Sequence, residues 1–230
     1  MKAMILAAGK GERMRPLTLH TPKPLLIAGG KALINYHLEN LHKAGFRDVV
    51  INHAWLGQQI EQQLGNGSQF GLNIRYSAEG EPLETAGGIV RALPLLTEDG
   101  DDWFLVINGD IWTDFPLDQL RPPANSDCDA ILVMADNPDQ HPDGDFQLAP
   151  DGSLSSTGAS KLTFSGISLL HRSLFSGLDD RAGKLGPVLR NAMANRRVQG
   201  LHHHGQWVDV GTPQRLTQLD DMLSRDEPTP

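Results

Sequence analysis

Long apolar runs are missing: stretches such as Met4 to Ala8 and Ala130 to Ala135 fall far short of the roughly 18 residues that a membrane-spanning helix needs. No membrane partner is expected. Cys128 is the single cysteine, which excludes a disulfide within the chain and suits a reducing, cytoplasmic compartment. Cations are in the minority. With 20 Lys plus Arg against 28 Asp plus Glu, the net charge of −8 counts against nucleic acid as a partner, because phosphate backbones call for a basic surface. No internal repeat or coiled-coil heptad recurs.

What is present suits a folded globule, since 39% of the 230 residues are hydrophobic and 21% charged. That length predicts one domain over residues 1–223, while residues 224–230 have no apolar anchor and read as a frayed tail. The first residues have the look of a short signal peptide, but Lys10, Glu12, Arg13 and Arg15 follow at once. A buried strand opening into a loop is expected instead.

Short apolar runs alternate with helical patterns, which predicts an α/β fold: a Rossmann-like mixed, mostly parallel sheet flanked by helices. Strands are expected over 4–7, 49–51, 72–76, 104–107, 130–134, 163–170, 198–202 and 207–210. Helices are expected over 33–44, 57–64, 85–93, 184–193 and 213–223, with Pro94 stopping the third. Residues 137–160, rich in Asp, Pro, Gly and Ser, read as a loop or hairpin region.

Chemistry concentrates after the first strand, in Leu6-Ala7-Ala8-Gly9-Lys10-Gly11-Glu12-Arg13-Met14-Arg15-Pro16-Leu17-Thr18. Small residues let backbone N–H groups come close to phosphate, and Lys and Arg add countercharge, so the segment reads as an anion cradle. A P-loop is excluded because Gly-Lys is not followed by Ser or Thr at the required spacing. A dinucleotide fingerprint is excluded too. Met14 stands where a third small residue is needed, and Asn52-His53 follow the second strand where an acid belongs.

The segment from Leu6 to Thr18 resembles the signature of the sugar-1-phosphate nucleotidylyltransferases, and further blocks agree in order. Thr21-Pro22-Lys23-Pro24-Leu25 is similar to the family's phosphate-contacting lysine motif, and Leu83-Glu84-Thr85-Ala86-Gly87-Gly88 to its base and ribose segment. Asn108-Gly109-Asp110 and Trp207-Val208-Asp209-Val210-Gly211-Thr212-Pro213 resemble its two metal aspartate motifs. The resemblance implies a nucleotide-diphospho-sugar transferase fold and a reaction in which a sugar 1-phosphate attacks the α-phosphorus of a nucleoside triphosphate. It implies Arg13, Lys23, Asp110 and Asp209 as catalytic residues, with Asp110 and Asp209 holding Mg²⁺. Nucleotide contacts carry over to Ala7, Ala8, Gly9, Gly11, Glu12, Arg13, Lys23, Glu79, Gly80, Thr85 and Asn108. Sugar contacts carry over to Gly144, Asp145, Ser165, Gly166 and Trp207.

Within the family, the segments 51–57, 79–85, 108–114 and 162–167 are most similar to uridylyltransferases acting on N-acetylmuramic acid 1-phosphate in cell-wall recycling. UTP and that sugar phosphate are thus the expected substrates. The alternatives are another pair, such as GTP with mannose 1-phosphate, or a non-catalytic sugar-nucleotide sensor. The family's Glu-Lys-Pro segment, whose lysine meets the sugar phosphate, has no counterpart in residues 151–161, where Lys161 is the candidate replacement. The chain stops soon after Asp209, without the extensions that carry oligomer contacts in relatives, so a monomer is expected.

Histidines are not expected to take part. His202-His203-His204 lie on a strand whose side chains alternate, so the three cannot all converge. The charge, finally, is unevenly spread. Residues 1–31 hold six Lys plus Arg and one acid, Glu12, a formal +5, which leaves −13 for residues 32–230. A basic entry loop in an acidic surround favours one compact polyanion over a long one.

Overall fold

A computed structural model describes residues 1–124 and 127–225. In chain order the first half contains β1 (Lys2–Leu6), β2 (Ile27–Ala28), β3 (Lys31–Ala32), α1 (Leu33–Lys43), β4 (Asp48–His53), α2 (Gly57–Leu64), β5 (Asn73–Ala78), α3 (Glu84–Leu96) and β6 (Trp103–Asn108). The second half adds β7 (Ile111–Thr113), β8 (Ala130–Ala135), β9 (Gln147–Leu148), β10 (Leu154–Ser155), β11 (Thr163–His171), α4 (Leu185–Ala194), β12 (Val198–His203), β13 (Trp207–Asp209) and α5 (Pro213–Arg225).

Seven strands form one sheet in the order β12-β8-β11-β6-β1-β4-β5. All neighbours are parallel except β11, which runs antiparallel between β6 and β8. The expected mixed, mostly parallel sheet is what forms. Strands β1, β6 and β8 are apolar at nearly every position because both faces are covered, whereas the edge strands β5 and β12 carry polar residues. Alternation sorts them: Ala3, Ile5, Val49, Ile51, Leu105 and Ile107 pack on the face that α1 and α2 cover through Ile34, Leu38, Leu41, Ile60 and Leu64. Met4, Val50, Phe104 and Val106 point the other way, against Ala86, Ile89 and Leu96 of α3 and Leu185 and Leu189 of α4. A smaller cluster joins Met14, Leu26 and Leu33 to Val210 and to Leu219 of α5.

After β1 the chain builds outwards through β4 and β5, then returns to place β6 on the opposite side of β1. The strand order therefore reverses beside β1, and in open α/β sheets ligands bind outside the carboxyl ends of strands at such a reversal.

Two local expectations are corrected. Pro94 does not stop α3, which continues to Leu96. Proline removes one helix hydrogen bond, but fully buried Leu96 packs into the core and Thr97 N–H still donates to Leu93 O at 3.0 Å. At the other end α5 includes Ser224 and Arg225, which the sequence assigns to a tail. The helix is fastened earlier, by Leu219 in the small cluster and by Asp220, whose Oδ1 accepts from Gly29 N–H at 2.7 Å. Residues 226–230 lie outside the described residues. The region 137–160 contains the hairpin of β9 and β10, and β7 is a short strand that the sequence reading lacks. Among the described residues no helix is long and apolar enough to cross a membrane.

Candidate active site

The loop leaving β1 is held by its neighbour strand. Asn52, a buried polar residue that follows the apolar Val49-Val50-Ile51 run of β4, accepts the Ala7 N–H on Oδ1 at 2.9 Å. Gly11 then turns the chain with φ +61°, and a Cβ there would stand 2.8 Å from the Thr18 methyl. The Thr18 hydroxyl donates to Gly11 O at 2.7 Å, closing the loop on itself. Met14 is fully buried, whereas Glu12 and Arg13 beside it are exposed. Anchoring one side chain of this short turn in the core thus presents its neighbours to solvent at the sheet edge.

Asp110 arrives from the next strand. Gly109 donates its N–H to Leu6 O at 2.9 Å, and a Cβ at Gly109 would lie 2.7 Å from that same oxygen, so only glycine permits the approach. Asp209 arrives by pairing of β13 with β7: Asp209 stands opposite Ile111, and Val210 N–H donates to Asp110 O at 2.9 Å. Two carboxylates from distant parts of the sequence are thereby brought side by side, Asp110 from the turn before β7 and Asp209 from β13.

Each carboxylate has a cation. Lys23 Nζ, on a side chain with 10% exposure, lies 2.7 Å from Asp110 Oδ2. Arg215, in the first turn of α5, pairs through Nη1 with Asp209 Oδ2. Gly211 marks where these groups meet, because a Cβ on it would lie 2.7 Å from Arg215 Nη2, 3.1 Å from Asp209 Oδ2 and 3.2 Å from Arg13 Nη1. Hard oxygen donors of this kind suit a divalent cation that takes one or two carboxylates and completes its shell with phosphate and water. Beneath them, His37 of α1 is fully buried and its Nε2 has no hydrogen-bond partner. Burial pushes its imidazole down to about 4, against the opposing pull of a hydrogen bond to the Ile111 backbone and the Asp110 charge.

A cavity of about 650 Å³ opens over this edge. Of the residues expected to meet nucleotide, Ala7, Ala8, Gly9, Gly11, Glu12, Arg13, Lys23, Glu79, Thr85 and Asn108 line it, as does Asp110, but Gly80 does not. Glu79 is 6% exposed and already committed: Oε1 accepts from Asn52 Nδ2 at 2.5 Å and Oε2 from Leu83 N–H at 2.9 Å. It fastens the segment before α3 to β4. Gly88 is part of that arrangement, since a Cβ on it would meet the Glu79 carboxylate and the Asn52 amide.

The residues expected to meet sugar lie outside the cavity lining. Ser165 and Gly166 occupy the irregular stretch of β11, where pairing with β8 shifts register between Phe164 and Ser168. Gly166 has φ +85° and packs so that a Cβ would lie 2.6 Å from Asn108 Nδ2, which joins this stretch to the cavity wall. Trp207 Nε1–H donates to Ser165 O at 2.8 Å. Gly144 and Asp145 sit on the loop before β9, with Asp145 Oδ2 accepting from Phe164 N–H at 2.8 Å. Among the described residues, Asn52 and Arg215 have no role in the sequence reading of the site, and Glu84 and Gly211 enter it only inside longer motifs. Asn52 carries a signal, an amide ending an apolar strand. Glu84 has φ +60° at the cavity wall, an uncommon backbone for a residue with a Cβ.

Residues 2–146 match the family described as nucleotidyl transferase. The chain is 52% identical, over 95% of its length and 96% of the relative's, to the N-acetylmuramate alpha-1-phosphate uridylyltransferase of Neisseria meningitidis serogroup B. It is 30% identical over 93% of its length to a mannose-1-phosphate guanyltransferase of Yarrowia lipolytica, of which the match covers 61%. In architecture it is similar to a chain described as a glucose-1-phosphate thymidylyltransferase of Bacillus anthracis, solved with sucrose, at a TM-score of 0.81, 23% identity and coverage of 100% of this chain and 97% of that one.

Proposed function

The chain belongs to the nucleotidyl transferase family, and from that premise we propose that it transfers UMP from UTP to N-acetylmuramic acid α-1-phosphate, releasing pyrophosphate and UDP-N-acetylmuramic acid. The observation that carries the chemistry is the meeting of Arg13, Lys23 and Asp110 at one cavity, with Asp209 beside Arg13. The near full-length identity to a uridylyltransferase carries the choice of substrates.

In this reading an oxygen of the sugar phosphate forms a bond to the α-phosphorus while the bond from that phosphorus to the bridging oxygen breaks, and pyrophosphate leaves with the electron pair. A phosphate monoester loses its second proton near pH 6, so the nucleophile is a dianion at neutral pH and needs no general base. What the protein contributes is position and countercharge. Backbone N–H groups of residues 9–13 and the Arg13 guanidinium hold the β- and γ-phosphates. Lys23 exchanges its Asp110 partner for the α-phosphate. Arg215, adjoining Arg13, adds charge at the pyrophosphate end. Thr85 and Asn108 meet base and ribose, while Glu79 shapes that wall through Leu83. Ser165, Gly166 and Trp207 meet the sugar.

Asp110 and Asp209 would hold Mg²⁺, which when bound supplies Lewis-acid neutralisation of triphosphate charge. All of these groups come from one chain, so a monomer suffices, and free, buried Cys128 accords with a reducing cytoplasm. The test is a matrix of four nucleoside triphosphates against several sugar 1-phosphates, followed by pyrophosphate release. UTP with N-acetylmuramic acid 1-phosphate should give the highest kcat/KM. A faster reaction of GTP with mannose 1-phosphate would overturn the assignment.

A further inference from the structure

The three successive histidines divide as strand alternation requires. His203, at the end of β12, turns towards Asp114, with Nε2 2.8 Å from its Oδ1, and packs edge-on to Phe115. His202 and His204 share the other face, their rings 3.9 Å apart between centroids. Parallel pairing of β12 with β8 sets His202 beside Met134 and His203 beside Ala135, which brings Asp136 up to them. His202 Nε2 lies 2.8 Å from Asp136 Oδ1. One donor atom from each of Asp136, His202 and His204 falls within 4.8 Å of the others.

We propose that Asp136, His202 and His204 bind one divalent transition-metal cation of the zinc class, at a site separate from the two active-site carboxylates. Metal–ligand bonds of about 2.0–2.2 Å put neighbouring donors of a tetrahedral site roughly 3.4 Å apart, so small side-chain rotations complete it, with water as the fourth ligand. Two imidazoles select zinc, nickel or copper over magnesium, whose preference is for oxygen.

The framework is fixed on both sides. Asn137, next to Asp136, donates to Lys161 O at 2.9 Å and accepts from the Thr163 hydroxyl at 2.8 Å. His203 is pinned between its two neighbours, which fixes the backbone on which they stand. The cation would join the exit of β8 to the turn that leads into β13.

Zinc titration by calorimetry, on chelator-treated protein with Mg²⁺ in excess to occupy the oxygen site, tests this. One zinc site is expected, weakened about tenfold or more in His202→Ala and in His204→Ala and unchanged in His203→Gln. Co²⁺ should give a visible ligand-field absorption that both alanine variants lose. Absence of zinc binding, binding untouched by both alanine variants, or equal weakening by His203→Gln would overturn the site.

Discussion

At the proposed phosphate end, side chains leave from the carboxyl edges of β1 and β6 and from β13 where it pairs with β7. At the proposed sugar end they leave from a register shift in β11 and from the loop before β9. The first arrangement rests on regular parallel pairing at the centre of the sheet. The second depends on an antiparallel strand that departs from regularity, and on Gly166 at φ +85°. Positive charge follows the same division, with Lys23, Arg13 and Arg215 at one end and Ser165, Gly166, Trp207 and the Asp145 carboxylate at the other. The residues proposed to meet phosphate and those proposed to meet sugar are thus carried by parts of the fold with different regularity.

The contrast is broken most severely at the carboxylates. Asp110→Asn and Asp209→Asn should each lower kcat/KM on the order of 10³-fold with unchanged circular dichroism. Near-normal Mg²⁺-dependent rates in both would remove these residues from their roles.

Next in size is a pH effect on the stability of the whole protein that arises at His37, beneath the two carboxylates. His37 is neutral in the folded protein, its pKa held down at about 4 from 6.5 mainly by burial. A base with a depressed folded pKa gives the unfolded chain the extra proton between those values, so stability is complete above pH 6.5 and declines as pH falls towards 4. That shift corresponds to about 3 kcal/mol at most. Urea midpoints should decline less over this range in His37→Leu than in the parent. Equal declines would show that another group is responsible.

The smallest effect sharpens the comparison from the sugar side. Trp207→Phe deletes the N–H that Ser165 O accepts, a loss of about 1 kcal/mol. The KM for sugar phosphate should rise several-fold while that for UTP stays put. A parallel rise in both would merge the two ends into one.

Legibility in the sequence follows how locally each feature is determined. The β1 loop reads directly because its glycines, its cations and Met14 lie within a few residues, and the sheet reads from its apolar runs. Asp110 and Asp209 need the family resemblance, since their proximity comes from strand pairing across the chain. Asn52 escapes notice for the same reason, since its partner Ala7 lies 45 residues away, whereas Arg215 is only six residues from Asp209 and is missed because that pairing depends on how the chain turns from β13 into α5. Pro94 shows the converse. A sound local rule fails there because the core pulls Leu96 inward.

The hydrogen bond from Val210 to Asp110 also has a bearing on biosynthesis. During translation the entry loop and the first carboxylate emerge well before β13, and Asp209 is placed by the pairing of β13 with β7 and by the cluster that joins Val208, Val210 and Leu219 to Met14. A chain cut before β13 would keep the proposed triphosphate cradle and lose one of the two carboxylates proposed to hold the metal.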